Sequence, residues 1–189
     1  MMASAAHVFG LDRPFGAEIN AALNARGIRH AEVGATEPID ILVINRPVIA
    51  SLLHFADVTD ADFDAAMSDM LYDVVEIVQT SLPRVPPGSR IVLVGSRGYL
   101  GARGGVHLMA ASSALAGLMR TMALELAGQG IAVNLVAAGF VGTPWDTPAS
   151  RRQVANAVCM LAEADTGLVG ETVIVDGGRS LRMSESRSQ

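Results

Sequence analysis

Three side chains suited to proton chemistry lie close together near the middle of the chain. Ser96 ends the apolar run 92–95, Tyr99 follows three residues later, and His107 comes just before a helical pattern. A serine hydroxyl both donates and accepts hydrogen bonds, and a phenol or an imidazole can give up or take a proton. An imidazole titrates near neutral pH unaided, whereas a phenol needs a neighbouring cation that lowers its pKa.

The complete absence of lysine limits what these side chains can do. All 14 cationic side chains are arginine, whose guanidinium stays charged and cannot act as a titrating amine. Tyr99 therefore lacks an ammonium group that would acidify it. His107 could act as a base without help, although a loop histidine is more often an ordinary surface residue. Ser96, at a strand end, is more often a cap than a catalyst.

Composition is typical of a single folded domain. The chain has 189 residues, half of them apolar, and a net charge of −5, which disfavours nucleic acid or an anionic membrane as the main partner. No apolar run reaches the roughly 18–20 residues of a membrane span, and the first residues do not resemble a signal peptide. The single cysteine, Cys159, is expected to be a small core residue on a helix. These features favour the cytoplasm.

Short apolar runs alternate with helical patterns along almost the whole chain. The predicted strands are residues 6–10, 28–33, 39–45, 90–95, 131–137 and 171–175, and the predicted helices are residues 17–26, 61–82, 108–127 and 151–163. Thr59 is the expected N-cap of the second helix, and Gly27 the expected C-cap of the first. This alternation predicts an α/β fold, a Rossmann-like doubly wound parallel sheet with helices on both faces. We expect one domain over residues 1–183 and a disordered polar tail over residues 184–189.

Several segments, in order along the chain, resemble the short-chain dehydrogenase/reductase (SDR) family. The first is G-L-D-R-P-F-G at residues 10–16, similar to the cofactor turn G-x-x-x-G-x-G, and the second is D-I-L-V-I-N-R-P at 40–47, similar to D-x-L-V-N-N-A-G. Residues 115–127 and 130–134 resemble the family's central helix and the strand after it. A-A-G-F-V-G-T-P at 137–144 and G-E-T-V-I-V-D-G-G at 170–178 resemble P-G-x-V-x-T-P and G-x-x-x-x-V-D-G-G. The resemblance implies NAD(P)-dependent chemistry on an alcohol or ketone.

The residues that carry this chemistry in the family are mostly replaced. Family enzymes use a tyrosine and a lysine in Y-x-x-x-K, a serine at the preceding strand end, and an asparagine on the long helix. Counting back from Glu125 puts the tyrosine position at Leu108 and the lysine position at Ser112, and Met70 stands where the asparagine would be. Only Ser96 retains the family's catalytic residue. Neither Leu108 nor Ser112 can transfer a proton at neutral pH.

The cofactor positions implied by the resemblance are also altered. The residues that remain at these positions, as vestiges of the site, are Gly10, Gly16, Asn45 and Thr143. A tight strand-to-helix turn explains the two glycines equally well. The middle glycine of the turn is Pro14, which removes a donor N–H and adds a ring where phosphate should approach. Asp12 adds a negative charge nearby, and residues 45–47 (N-R-P) replace the small floor under the adenosine.

Two connections are shorter than those of the family. Residues 33–39 leave no room for the family's further helix, edge strand and adenine pocket, and residues 144–151 leave none for its mobile lid over the substrate. We therefore expect no cofactor, or NAD(P) if there is any, and no metal.

The helices through which family members pair are nevertheless retained. Residues 61–82 and 108–127 correspond to the four-helix bundle of the family, and the last strand and its tail correspond to its second pairing surface. The leading hypothesis is a pseudoenzyme, a non-catalytic structural or regulatory subunit that oligomerises with itself or with an active SDR dehydrogenase. One alternative is an NAD(P)-dependent oxidoreductase in which Ser96 acts with Tyr99 or His107. Another is a module that binds a small ligand or nucleotide at the carboxyl ends of the strands.

Overall fold

A parallel sheet of six strands forms the centre of the fold. The computed structural model describes residues 5–30, 37–51, 53–163 and 166–182. The strands are β1 (Ala5–Phe9), β2 (Arg29–His30), β3 (Ile41–Asn45), β4 (Arg90–Ser96), β5 (Ala132–Ala138) and β6 (Thr172–Val175). Their order is β2-β1-β3-β4-β5-β6, and every pairing is parallel. The Rossmann-like parallel sheet predicted from the sequence is confirmed.

Helices cover both faces of this sheet. They are α1 (Gly16–Asn24), α2 (Asp60–Met67), α3 (Asp73–Ser81), α4 (Val106–Leu126) and α5 (Pro148–Ala162). One apolar core lies between the sheet and α1 with α5, and the other lies between the sheet and α3 with α4. Strands β3 and β5 are buried along their whole length, as expected for strands covered on both faces. Cys159 lies in the first core on α5, which confirms that prediction.

Local signals explain most of the helix ends. Thr59 forms a capping box with Asp62, and Gly27 has a φ of +73°, so both predicted caps are confirmed. Helix α5 begins three residues earlier than predicted, because Thr147 caps it and Pro148 occupies its first turn. Part of the predicted strand 28–33 and the predicted tail 184–189 lie outside the described residues.

The helix predicted over residues 61–82 is interrupted. Between α2 and α3 the chain makes a π-helical turn, Ser68–Tyr72, in which the wider spacing accommodates an extra residue. Met70, inside this turn, is buried against Ala66 and Ala111, whereas α3 turns Val74 and Val78 toward the sheet. The helical segment is therefore continuous, as predicted, but the π-helical turn changes which side of it is buried: residues of α2 pack against α4, and residues of α3 pack against the sheet.

Within the described residues, no helix has the length and apolar character needed to cross a membrane.

Candidate functional site

The turn between β1 and α1 is closed by its own side chains and backbone. Gly10 has a φ of +82°, and a Cβ placed there would lie 2.5 Å from the carbonyl oxygen of Asn45. A Cβ at Gly16 would lie 2.2 Å from the carbonyl oxygen of Leu11. The Asn45 amide donates hydrogen bonds of 2.9 Å to the carbonyl oxygens of Gly10 and Pro14. Gly10 and Gly16 are therefore needed for the close approach of the backbone in this turn, and the Asn45 amide ties the turn to β3, while the Oδ1 of Asn45 is buried with no hydrogen-bond partner among the described residues.

The start of α1 is covered by two aromatic rings. Phe15 adopts a φ of +73°, unusual for a residue with a side chain, and is fully buried at the N-cap position. The indole of Trp145 meets the Phe15 ring edge-on, with ring centres 6.2 Å apart. A Cβ at Gly139 would lie 2.6 Å from the same indole. Trp145 thus fills the space between the first turn of α1 and the loop after β5.

Sequence reasoning missed Trp145. The available signal was the only tryptophan of the chain, placed inside a connection that is short by the family's standard.

An ion pair holds the loop that carries this indole. Arg151 donates from Nε and Nη2 to the Asp146 carboxylate at 2.7 and 2.9 Å, and the Gly142 amide donates to the same carboxylate at 3.1 Å. The hydrogen bond from Arg151 is the main reason that the pKa of Asp146 is lowered. The connection after β5 is therefore a compact, ion-paired turn.

Two positions at which the family carries polar catalytic residues join an apolar cluster. Met70 and Leu108 pack with Val48, Ala66 and Ala111, and Phe140 lies against the same group. Neither side chain can donate, accept or relay a proton there. The hydroxyl of Ser112, at the lysine position, donates to the carbonyl oxygen of Leu108 at 2.8 Å, one turn back in its own helix.

The three side chains suited to proton chemistry lie in different surroundings. The hydroxyl of Ser96, which is 2% exposed, accepts a 3.0 Å hydrogen bond from the Gly98 amide and caps the 3₁₀ turn after β4. Tyr99 packs against the core between the sheet and α4. His107 lies edge-on to Phe63, with ring centres 6.2 Å apart. The fold does not assemble Ser96, Tyr99 and His107 into one group.

Thr143 lines a small cavity of about 170 Å³ beside Phe140 and Met109. Its hydroxyl donates to the carbonyl oxygen of Phe140 at 2.7 Å, a local bond that holds the loop after β5.

Two arginines next to the closed turn are paired with carboxylates of the interrupted helix. Arg13 forms a double hydrogen bond with Asp69, and Arg46 approaches Asp73 at 3.4 Å. Burial is the main cause of a lowered pKa at Arg46, and the nearby charge of Arg13 adds to it. Each guanidinium group therefore has a carboxylate partner, and the Nε of Arg46 is buried without a hydrogen bond among the described residues.

The described part of the chain contains no group of three metal-binding side chains.

Comparison with known proteins gives a consistent relationship. The family model described as enoyl-(acyl carrier protein) reductase matches residues 28–152, well over half of the chain. Two similar curated proteins are subunits BbsC and BbsD of (2S)-[(R)-hydroxy(phenyl)methyl]succinyl-CoA dehydrogenase from Thauera aromatica. BbsC is 32% identical over 167 residues, covering 78% of this chain and 66% of BbsC, and BbsD is 36% identical over 111 residues, covering 49% and 45%. The chain thus spans less than two thirds of the length of either relative.

Solved structures give the same fold. A short-chain dehydrogenase/reductase from Serratia marcescens superposes with a TM-score of 0.79 at 22% sequence identity, covering 94% of this chain and 97% of that one.

Proposed function

Because the chain belongs to the short-chain dehydrogenase/reductase family, we propose that it is a non-catalytic subunit of an assembly with that fold. The observation that carries the proposal is the apolar cluster at the proton-transfer positions. Met70 and Leu108 pack into it, and the hydroxyl of Ser112 is bonded within its own helix. A hydride transfer to a carbonyl needs a proton donor beside the oxygen, and these three residues supply none.

The closed turn supports the same proposal on the side of the cofactor. A dinucleotide of the family's kind needs the backbone N–H groups at the start of α1 and open space in front of them. Here Pro14 lacks an N–H, and Trp145 packs edge-on against Phe15 at that position. Binding of NAD(P) in the family's manner would require the indole to leave a buried site. We therefore propose that the isolated chain binds neither NADH nor NADPH.

A stripe of small residues on α4 supports assembly. The exposed small residues Ala110, Ser113, Gly117 and Thr121 recur every three or four positions, so they share one face of the helix, which the larger Leu124 continues. A Cβ at Gly117 would meet nothing within 4 Å, so the helix backbone borders open space there and another helix could approach it closely. Helices approach one another most closely where such small residues meet. We propose that this face pairs with the corresponding helices of another SDR-fold subunit.

The relatives suggest what that subunit is. BbsC and BbsD, both similar to this chain, are named as two subunits of one dehydrogenase. We propose that the partner here is likewise a different member of the family, one that retains the tyrosine, the lysine and an open cofactor turn. This chain would then stabilise the active subunit or regulate it across the interface.

The test is co-expression with the product of a neighbouring full-length dehydrogenase gene, followed by light scattering on the purified material. We expect a complex with the wild-type chain and its loss in Gly117→Arg, because an arginine cannot fit between closely packed helices. Gly117→Ala keeps the surface small, and Gln153→Arg adds the same charge to exposed α5 on the opposite face; both variants should still assemble. A wild-type chain that stays monomeric with every such partner would remove the proposal.

The catalytic half of the proposal has its own test. The partner-free chain is titrated with NADH and with NADPH, followed by the emission of its single tryptophan, which packs against Phe15 at the start of α1. We expect a flat response with both. A saturable change together with turnover of any alcohol or ketone would replace the proposal with the rearranged oxidoreductase.

A further inference from the structure

The helical segment that packs beside α4 carries a large negative charge. No lysine or arginine lies between Arg46 and Arg84, whereas seven aspartates and glutamates do. Two of these carboxylates pair with Arg13 and Arg46, and a third caps α2 together with Thr59. The remaining four are exposed and form no ion pair among the described residues; they are Asp57, Asp60, Asp64 and Glu76.

The position of Glu76 on α3 corresponds to that of Gly117 on α4. Each lies midway between two residues that are buried against the sheet in the same core, two positions from either one. An α-helix turns about 100° per residue, so both Glu76 and Gly117 lie nearly opposite the sheet. The buried pairs are Val74 with Val78 and Leu115 with Met119. The acidic side of α3 and the small-residue side of α4 therefore look outward in the same direction.

Exposed apolar groups accompany this charge. Leu124, on the outer side of α4, is 80% exposed, and Tyr72, at the end of the π-helical turn, is 62% exposed. Helix α4 does not offset the acidic charge, because it contributes one arginine, Arg120, and one glutamate, Glu125. Protein interfaces typically have an apolar centre, rich in tyrosine, within a polar rim. Such a surface favours a protein partner, and its carboxylates favour a basic one.

A second copy of this chain would be a poor partner for this surface. Two identical subunits usually pair about a twofold axis, so that each brings the same patch to the interface. Pairing here would place the four exposed carboxylates of one copy near those of the other, with only Arg120 from each copy to balance them. Like charges brought together across an interface disfavour that partner.

We propose that the acidic helix face, formed by the four exposed carboxylates and the outward side of α4, selects a partner subunit whose facing helices carry arginine or lysine. The same face disfavours pairing of the chain with itself. This inference rests on the proposed subunit function and adds the chemistry by which the partner is chosen. Carboxylates that are exposed and not already ion-paired keep their attraction for the cations of such a partner.

A charge-reversed copy of the chain is a basic partner of matching shape. Asp64→Lys/Glu76→Lys changes two exposed positions and raises the net charge from −5 to −1, by two units at each position. It is mixed with the wild-type chain and followed by analytical ultracentrifugation. At about 50 mM salt we expect the mixed pair to be at least about tenfold tighter than self-association of either chain. At about 500 mM salt, where the screening length is about 4 Å, this preference should fall several-fold.

A matched control places the same charge on the opposite face of the sheet. It replaces four exposed neutral residues of α5 with lysine, which gives the same net charge as the reversed copy. The substitutions are Ala149→Lys, Gln153→Lys, Asn156→Lys and Met160→Lys. This variant should bind the wild-type chain no more tightly than the wild type binds itself. Circular dichroism checks that both variants are folded.

The proposal is overturned if the wild-type chain pairs with itself as tightly as with the reversed copy, or if the α5 control pairs equally well. A milder variant, Asp64→Asn/Glu76→Gln, tests the complex with a full-length family member and should weaken it at least about threefold. An unchanged complex would overturn this proposal and leave the subunit function standing. If no family member binds although the reversed copy does, the subunit function fails and the charge selectivity of the acidic helix face stands.

Discussion

Replacing Trp145 with alanine should be among the most destabilising single changes in this chain. The indole is 4% exposed and packs between Phe15 and Gly139. An aromatic side chain of this size buries roughly 150–250 Å², worth about 4–6 kcal/mol at 25 cal/mol per Å². Tryptophan-to-alanine changes in cores cost about 3–5 kcal/mol, so we expect a loss in that range. For a domain of this length the melting temperature should fall by about 10 °C.

The measurement is urea unfolding followed by far-UV circular dichroism, since the variant has no tryptophan to report by fluorescence. Trp145→Phe is the matched control, and should lose less than half as much because one ring is retained. A loss below about 1 kcal/mol for Trp145→Ala would mean that the indole is not packed as described.

A double-mutant cycle sharpens this test. In the wild type, the added methyl group of Gly139→Ala would lie 2.6 Å from the indole and should cost about 1–3 kcal/mol. In the Trp145→Ala background the clash is gone, so the same change should cost almost nothing. Equal costs in both backgrounds would refute the contact between the Trp145 indole and Gly139.

Three further predictions concern single residues. Burial, helped by the charge of Arg84, lowers the pKa of His7, so the unfolded chain takes up this proton first. This difference stabilises the fold fully above about pH 6.5, and the stabilisation is lost as the pH falls below that value. His7→Phe should therefore make the urea midpoint vary less between about pH 7 and pH 5.5. Burial raises the pKa of the Cys159 thiol, so its reaction with a disulfide reagent at pH 8 should be far slower in the native chain than in denaturant; equal rates would contradict its burial. Thr59→Ala removes a capping box and should cost about 1 kcal/mol in thermal unfolding, and an unchanged midpoint would contradict the cap.

The sheet and its helices were largely predictable because their signals are local. Apolar runs such as 39–45 and 90–95 are typical of strands buried on both faces, and the structure places β3 and β4 there. The caps at Thr59 and Gly27 were likewise visible in the sequence. Helix α5 was predicted three residues short because its capping signal, Thr147 followed by Pro148 and Ser150, was not used.

The side-chain contacts within the candidate site were less predictable, because they join residues that are far apart in the sequence. Pro14 indicated that the cofactor turn is altered, but only the fold brings Trp145 against Phe15, 130 residues earlier. The pairing of Arg13 with Asp69 is similarly remote. The replacement of the catalytic positions at Leu108 and Met70 was expected from the family resemblance, whereas their joining one apolar cluster required the packing of α2 against α4.

The π-helical turn at 68–72 makes the length of this segment as important as its composition. An α-helix advances about 100° per residue, so removing one residue there would give a regular helix whose second half is rotated by that angle. Val74 and Val78 would then swing away from the sheet, although no side chain had been replaced. Single-residue deletions within residues 68–72 should therefore be far more damaging than conservative substitutions at the same places.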